Sequence, residues 1–271
     1  MSLHTGHPRT LRSPTFRRRQ IIYYRDLIRE LVVRDLKLLY KRSVLGVAWT
    51  LLNPLLQLLV FTFVFRSVLN VNISQYASFA FSGLLIWIWT QTSLFQSTAL
   101  ITGNRPLIRQ PGFPIAVLPI VTVTTGLIHF LLALPVLFLF MLINGVQLTA
   151  NVMLLPLLLG FQFILTVSFA YPLAALNVTF RDTQHTLGVL LQLMFYVLPI
   201  FYNLAQVPER LRLLYALNPM VLLLEAYRAV LIYGQPPAWQ SLLGLTIVSG
   251  ILLPIGYRIF KRQSQRFVEE I

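Results

Sequence analysis

Residues 110–180, QPGFPIAVLPIVTVTTGLIHFLLALPVLFLFMLINGVQLTANVMLLPLLLGFQFILTVSFAYPLAALNVTF, run for 71 positions without one Lys, Arg, Asp or Glu. A helix needs about 20 apolar residues to cross roughly 30 Å of hydrocarbon, so this stretch is too long for a single crossing. The polar break Asn144-Gly145-Val146-Gln147, followed by Thr149-Ala150-Asn151, divides it into two. Working outward, uncharged windows also cover 44–65, 67–104, 183–208 and 229–257, and each is long enough for one span. The expectation is an all-α polytopic membrane protein with six transmembrane helices, at 44–65, 79–101, 115–143, 152–177, 186–202 and 239–259.

Bulk properties agree. Of 271 residues, 56% are hydrophobic and 11% charged, and the apolar residues form continuous runs rather than amphipathic stripes. Runs of this length without period-2 alternation exclude a membrane β-barrel. Cysteine is absent, which removes disulfides, thiolate nucleophiles and Cys-ligated metals. A net charge of +14 would point to nucleic acid on a soluble surface, but here its placement follows the bilayer. On a six-span chain, 18 of the 22 basic residues fall on one face, against Arg210, Arg212 and Arg228 on the other and Arg66 at a span end. The positive-inside rule then puts both termini in the cytoplasm, with the protein in the plasma membrane. The first 43 residues contain no signal-peptide h-region.

Four segments follow along the chain. Residues 1–20, with Pro8 and Pro14, read as a flexible basic cytosolic tail. Residues 21–42 read as an amphipathic interface helix, with Tyr24, Leu27, Ile28, Leu31, Val32, Leu38 and Leu39 on one arc. Asp35 falls within that arc, where a charge needs a partner. Residues 43–261 form the spanning domain, with Pro54, Pro119, Pro135, Pro156, Pro172, Pro199 and Pro254 bending its helices, and 262–271 are a cytosolic tail. Between spans five and six, the apolar stretch 213–224 is too short to cross and is broken by Asn218-Pro219. It reads as two short re-entrant helices, with Glu225 and Arg228 pairing at i, i+3.

The chemistry is conspicuous by what is missing. No acidic residue lies within a span, and His129, alone at mid-span, reads as a hydrogen-bonded packing residue. There is no GxxxxGK[ST] phosphate loop, no HExxH and no nucleophile elbow, so no catalytic, metal or cofactor residues are assigned. Energy for uphill movement must come through a partner. The loop 102–114 reads either as an ordinary positively charged turn or as the docking element for that partner, mixing Arg105 and Arg109 with exposed Leu107, Ile108 and Phe113 and ending at Pro114. Arg25, Arg29, Lys37, Lys41 and Arg42 suit anionic lipid headgroups or the diphosphate of a lipid-linked substrate. Trp49, Trp87, Trp89, Tyr171, Tyr196, Phe201 and Tyr202 fit either an interfacial belt or a conduit on which sugar rings slide.

From about Tyr23 to Lys261 the sequence resembles the membrane subunit of type-2 ABC exporters of the polysaccharide group, the O-antigen, capsule and teichoic-acid permeases. The likeness rests on Arg34-Asp35-Leu36-Lys37, Tyr40, Ser43, Leu45-Gly46, Trp49 and Asn53-Pro54. It continues through Asn104, Phe113-Pro114, Pro119, Phe180-Arg181-Asp182, Pro199-Ile200-Phe201-Tyr202 and Asn218-Pro219-Met220. It implies a homodimeric permease paired with two copies of a separate nucleotide-binding subunit carrying Mg-ATP. It also makes residues 105–114 and Arg181-Asp182 the ATPase contacts, and the Asn218-Pro219 segment an outer gate. The expected cargo is a lipid-linked polysaccharide. A drug or antibiotic exporter is the first alternative, and a membrane enzyme acting on polyprenyl-phosphate sugars the second, disfavoured by the shortage of acidic residues.

Overall fold

The computed structural model describes residues 14–41, 45–71, 73–265 and 267, and these are helical throughout, joined by turns. Helix α1 is Pro14–Tyr40 and α2 is Trp49–Thr62, the latter entered by a 3₁₀ turn Gly46–Ala48 and extended by a π turn Phe63–Val68. Next come α3 (Tyr76–Thr98), the short α4 (Leu100–Gly103) and α5 (Arg105–Ile108), α6 (Val117–Ile143) and α7 (Leu155–Thr179). The chain ends with α8 (Thr183–Val197), α9 (Glu209–Leu217), α10 (Pro219–Leu231) and α11 (Trp239–Ser264). Residues 14–20, expected in a flexible tail, are the first turns of α1, because Pro14 supplies a fixed φ at a helix start and the following Arg and Gln residues favour helix. The rest of that tail, residues 1–13, lies outside the described residues.

Among the described residues, four stretches are long and apolar enough to cross a membrane: Gly46–Val68, Val117–Ile143, Ala150–Thr179 and Trp239–Ser264. The pair α9 and α10, bent by 91°, makes a fifth if counted as one span. Two of the expected spans differ in kind. Helix α3 has 23 residues and no charge, but Ser, Thr and Gln lower its hydropathy; it is buried by protein along most of its length, so it need not be greasy toward lipid. Helix α8 has only 15 residues, about 22 Å of rise, and after Val197 the chain is extended at Leu198 and then turns at Pro199.

The break that divides 110–180 is built from hydrogen bonds. Gly145 takes φ 71°, a left-handed position suited to glycine, and the Val146 amide turns back to the Met141 carbonyl at 2.8 Å. Asn144 Nδ2 donates to Phe140 O and to Ser78 Oγ of α3, at 2.6 and 3.2 Å. Thr149 and Asn151 donate to the Gly234 carbonyl beyond α10, fixing the far end of the bundle.

Helix α3 is the hub, touching α2, α6, α7, α8 and α10, while α7 and α11 form the most extensive pair. Proline explains how that pair closes. Pro172 inside α7 cannot bond the Ser168 carbonyl four residues back, and Gly256 of α11 lies against that freed oxygen. A Cβ at Gly256 would stand 2.5 Å from it, so the helices approach only because glycine is there. Pro54, Pro135 and Pro254 also sit inside helices, whereas Pro156 occupies a first turn and Pro199 ends α8.

Candidate translocation site

The end of the bundle where α1 lies holds the expected docking loop. Leu31 and Val32 of α1 are buried and the helix packs on α6, while Leu38 and Leu39 remain exposed. Asp35 finds its partner in Arg34 at 2.7 Å, and Arg34 also donates to Asn104 Oδ1 at 3.0 Å. Asn104 in turn donates to the Leu100 carbonyl, so the polar triad clamps α1 to the start of the loop. Two motifs 70 residues apart are thus brought together. The loop's apolar residues are not exposed as expected: Ile108 is buried, and Leu107 and Phe113 are half-buried against the core. Burial of these anchors folds the loop onto its own bundle. Arg105, Pro106 and Arg109 are left outermost, with Pro114 half-buried.

Arg181 and Asp182 are exposed in the turn between α7 and α8. Asn177 of α7 orders this turn by accepting the Gln184 amide at 3.1 Å, capping α8 from a distance. Of the headgroup candidates, Lys37 and Lys41 line a cavity of about 880 Å³ with Arg34 and a single acid, Glu30, against an apolar wall of Leu38, Val47, Ile128 and Leu132. A phosphate beside an acyl chain suits that combination. Arg25 is exposed and paired with Asp26 at 2.9 Å, Arg29 is exposed outside the cavity, and Arg42 lies outside the described residues. His129 is hydrogen-bonded, its Nε2 2.8 Å from the Tyr40 hydroxyl, which reaches Thr50 Oγ1 at 2.9 Å.

The opposite end is closed by aromatic rings. Phe201 stacks on Phe61 of α2 with centroids 3.9 Å apart, and Phe65 and Phe195 lie within 5.5 Å of it. The segment bearing Phe201 is held by Arg228 of α10, which is 0% exposed. Arg228 Nη2 donates to the Ile200 carbonyl at 2.9 Å and Nη1 to Glu225 at 3.1 Å, while the guanidinium lies 3.6 Å over the Phe79 ring. A Cβ on Gly83 would crowd Nη2 at 3.2 Å, so α3 leaves room for the cation. The Tyr202 and Tyr215 hydroxyls both donate to the Val197 carbonyl, tying α9 to the end of α8. Asn218 accepts the Met220 amide at 3.0 Å and Pro219 takes the first helical position, so the Asn-Pro step ends α9 and starts α10.

The candidate conduit aromatics divide sharply. Trp87 and Trp89 are each 2% exposed, and Trp89 Nε1 donates to the Val123 carbonyl at 3.1 Å. Trp87 belongs to the packed core, whereas Trp89 also borders a groove between α2, α3 and α6. Trp49 and Tyr196 are open at the surface, Tyr202 is half-buried and Phe201 belongs to the aromatic cluster. A buried and an interfacial tryptophan look alike in sequence. Sequence reasoning also missed Phe61, Phe65 and Gln162; the last, the one amide between Asn151 and Asn177 in the 71-residue run, was the available signal.

A charge-poor helical bundle with four or five stretches, among the described residues, able to cross a bilayer has the architecture of a multi-pass membrane protein. The chain belongs to the ABC-2 type transporter family, whose model matches residues 26–232. It is 38% identical over 255 residues to the O-antigen export system permease protein RfbA of Myxococcus xanthus, covering 93% of this chain and 98% of that one. It is 30% identical over 248 residues to the protein of the same name from Klebsiella pneumoniae, covering 91% and 95%. In this family ATP is hydrolysed by a separate subunit, in keeping with the missing phosphate loop.

Proposed function

We propose that the chain is the permease of an ATP-driven exporter that moves a lipid-linked polysaccharide of the O-antigen, capsule or teichoic-acid type outward across the bacterial plasma membrane. End-to-end similarity to O-antigen permeases carries the reading, since 98% of the Myxococcus protein aligns with this chain. In this reading two copies of the chain enclose the path and two ATPase subunits drive it. Six crossings put both termini in the cytoplasm, with α3 and the short α8 among the spans and α9 and α10 as re-entrant helices. The positive-inside count supports that orientation. Arg105, Arg109, Arg181 and Asp182 are exposed where an ATPase would dock, and the α1–Asn104 clamp would carry its motion to the interface helix. Lys37 and Lys41 would receive the diphosphate of the lipid carrier. The Phe201 cluster and the Glu225–Arg228 pair would form the outer gate.

The reading is tested by inactivating the partner's ATPase in the producing strain. Polymer should accumulate inside and vanish from the surface. Surface polymer at the normal level would refute it.

A further inference from the structure

Among the described residues, the six amide side chains within α2, α3 and α8 have no hydrogen-bond partner. Asn53 and Gln57 stand on α2, Gln91 and Gln96 on α3, Gln184 and Gln192 on α8, and all are exposed or half-exposed. Among the described residues none of their side-chain oxygens or NH₂ groups meets another residue within hydrogen-bond distance. Asn53 and Gln57 sit within Gly46–Val68, one of the stretches apolar enough to cross a membrane. An amide facing hydrocarbon without a partner costs several kcal/mol, so groups like these are expected to face water, a ligand or another protein.

The cavities beside them adjoin one another across shared side chains. A groove of about 380 Å³ between α2, α3 and α6 is lined by Asn53, Gln57, Gln91 and Gln96. It shares Phe95 with a second, of about 580 Å³, that carries Gln184 and Gln192. It shares Gln96 with a third, of about 310 Å³, that opens beside Asp35 and Leu38 of the interface helix. The track therefore starts at α1 and runs up α2, α3 and α8. Gln57 precedes Phe61 by one helical turn and Gln192 lies just before Phe195, so it leads toward the ring cluster around Phe201. Its formally charged residues, Asp35 and Arg181, both belong to the α1 end. Beyond them the polar groups are neutral amides and hydroxyls, with His129 and His185 as the titratable exceptions.

We infer that these amides form a glycan-binding track, a site for a hydroxyl-rich polymer rather than for a lipophilic molecule. An amide carries donors and acceptors together, as does a sugar hydroxyl, so each can exchange one sugar for the next without reorienting the protein. Neutral groups also hold less tightly than charges, and a chain that must keep moving requires weak, repeated sites. A lipophilic drug would leave six amides unpaired, which is unfavourable. The inference rests on the export reading above and adds the residues that handle the cargo.

Cysteine accessibility tests it, because the chain contains no cysteine. Single cysteines replace Gln57, Gln96 and Gln192, with Leu59 and Leu142, exposed apolar positions, as controls. The complex is probed in membranes of the producing strain with a small water-soluble methanethiosulfonate reagent, with and without polymer synthesis. The track predicts labelling at the three amide positions and little at the controls, with protection when polymer is being made. Gln57→Leu and Gln192→Leu should each lower surface polymer roughly fivefold, the size of one net hydrogen bond, with normal protein levels. Cysteines that instead cross-link two copies without protection by polymer would make the amides interprotomer pairs and overturn the inference. So would normal export by both Leu variants. If deleting the chain leaves surface polymer unchanged, the export reading itself falls; if deletion abolishes polymer and the Leu variants do not reduce it, only the track falls.

Discussion

Gln162 and Gln57 are the same residue type in one bundle, and they are treated in opposite ways. Gln162 of α7 is 0% exposed; it donates to Ile86 O at 2.9 Å and Thr90 Oγ1 at 3.1 Å, and accepts from the Tyr227 hydroxyl at 2.9 Å. It closes a contact between α3, α7 and α10. Gln57 of α2 borders a groove and meets none of them. Three hydroxyls of α3 side with Gln162: Ser82, Ser97 and Thr98 satisfy themselves on carbonyls three or four residues back in their own helix. Polarity in a membrane helix is thus ambiguous until its hydrogen bonds are known. The sealed half, α7, α10 and the face of α3 toward them, uses polar groups to fix packing, and the wall of α2, α8 and the groove face of α3 leaves them open.

If that contrast is correct, substitutions in the sealed half cost stability and those in the wall cost transport. The largest effect is expected at Arg228. Arg228→Ala strips a fully buried cation from Glu225, the Ile200 carbonyl and Phe79, and should destabilise the purified permease by about 3–5 kcal/mol in denaturant unfolding. Arg228→Lys should recover part of this, because one donor can still reach the carbonyl. Next comes Gln162→Leu, which leaves the Tyr227 hydroxyl buried and unpaired; a loss of about 1–3 kcal/mol is expected. An unchanged unfolding midpoint would erase the distinction from Gln57. Asn218→Ala should cost about 1 kcal/mol by removing the α10 cap, with faster amide exchange in the first turn of that helix as its local sign. Smallest in stability is Arg105→Glu, expected within about 0.5 kcal/mol of the parent because the side chain is exposed. That variant should nonetheless reduce recovery of the ATPase subunit in affinity purification.

Much of the sealed half was legible in sequence. The break at 144–151 divides the long run because Gly145 adopts a left-handed conformation and Asn144 ties back to Phe140 and α3. Asn218-Pro219 announces a cap followed by a first-turn proline, and Glu225 with Arg228 announces an i, i+3 pair. Three features were not legible, each because it depends on what lies opposite. Trp87 carries no mark separating a packed indole from an interfacial one. Leu107 and Phe113 look like bait for a partner, but the nearest apolar surface is their own bundle. Arg34 and Asn104 are each ordinary in a polar run, and only the fold reveals that they bond. The six open amides were individually visible and meant nothing until their three grooves proved to share Phe95 and Gln96.

Reconstitution of the purified chain in liposomes, with and without its ATPase subunit, tests the central claim most directly. With lipid-linked polymer supplied on one side, translocation should require both subunits and ATP, and the chain alone should move nothing. Polymer crossing at the full rate with this chain alone would contradict the account.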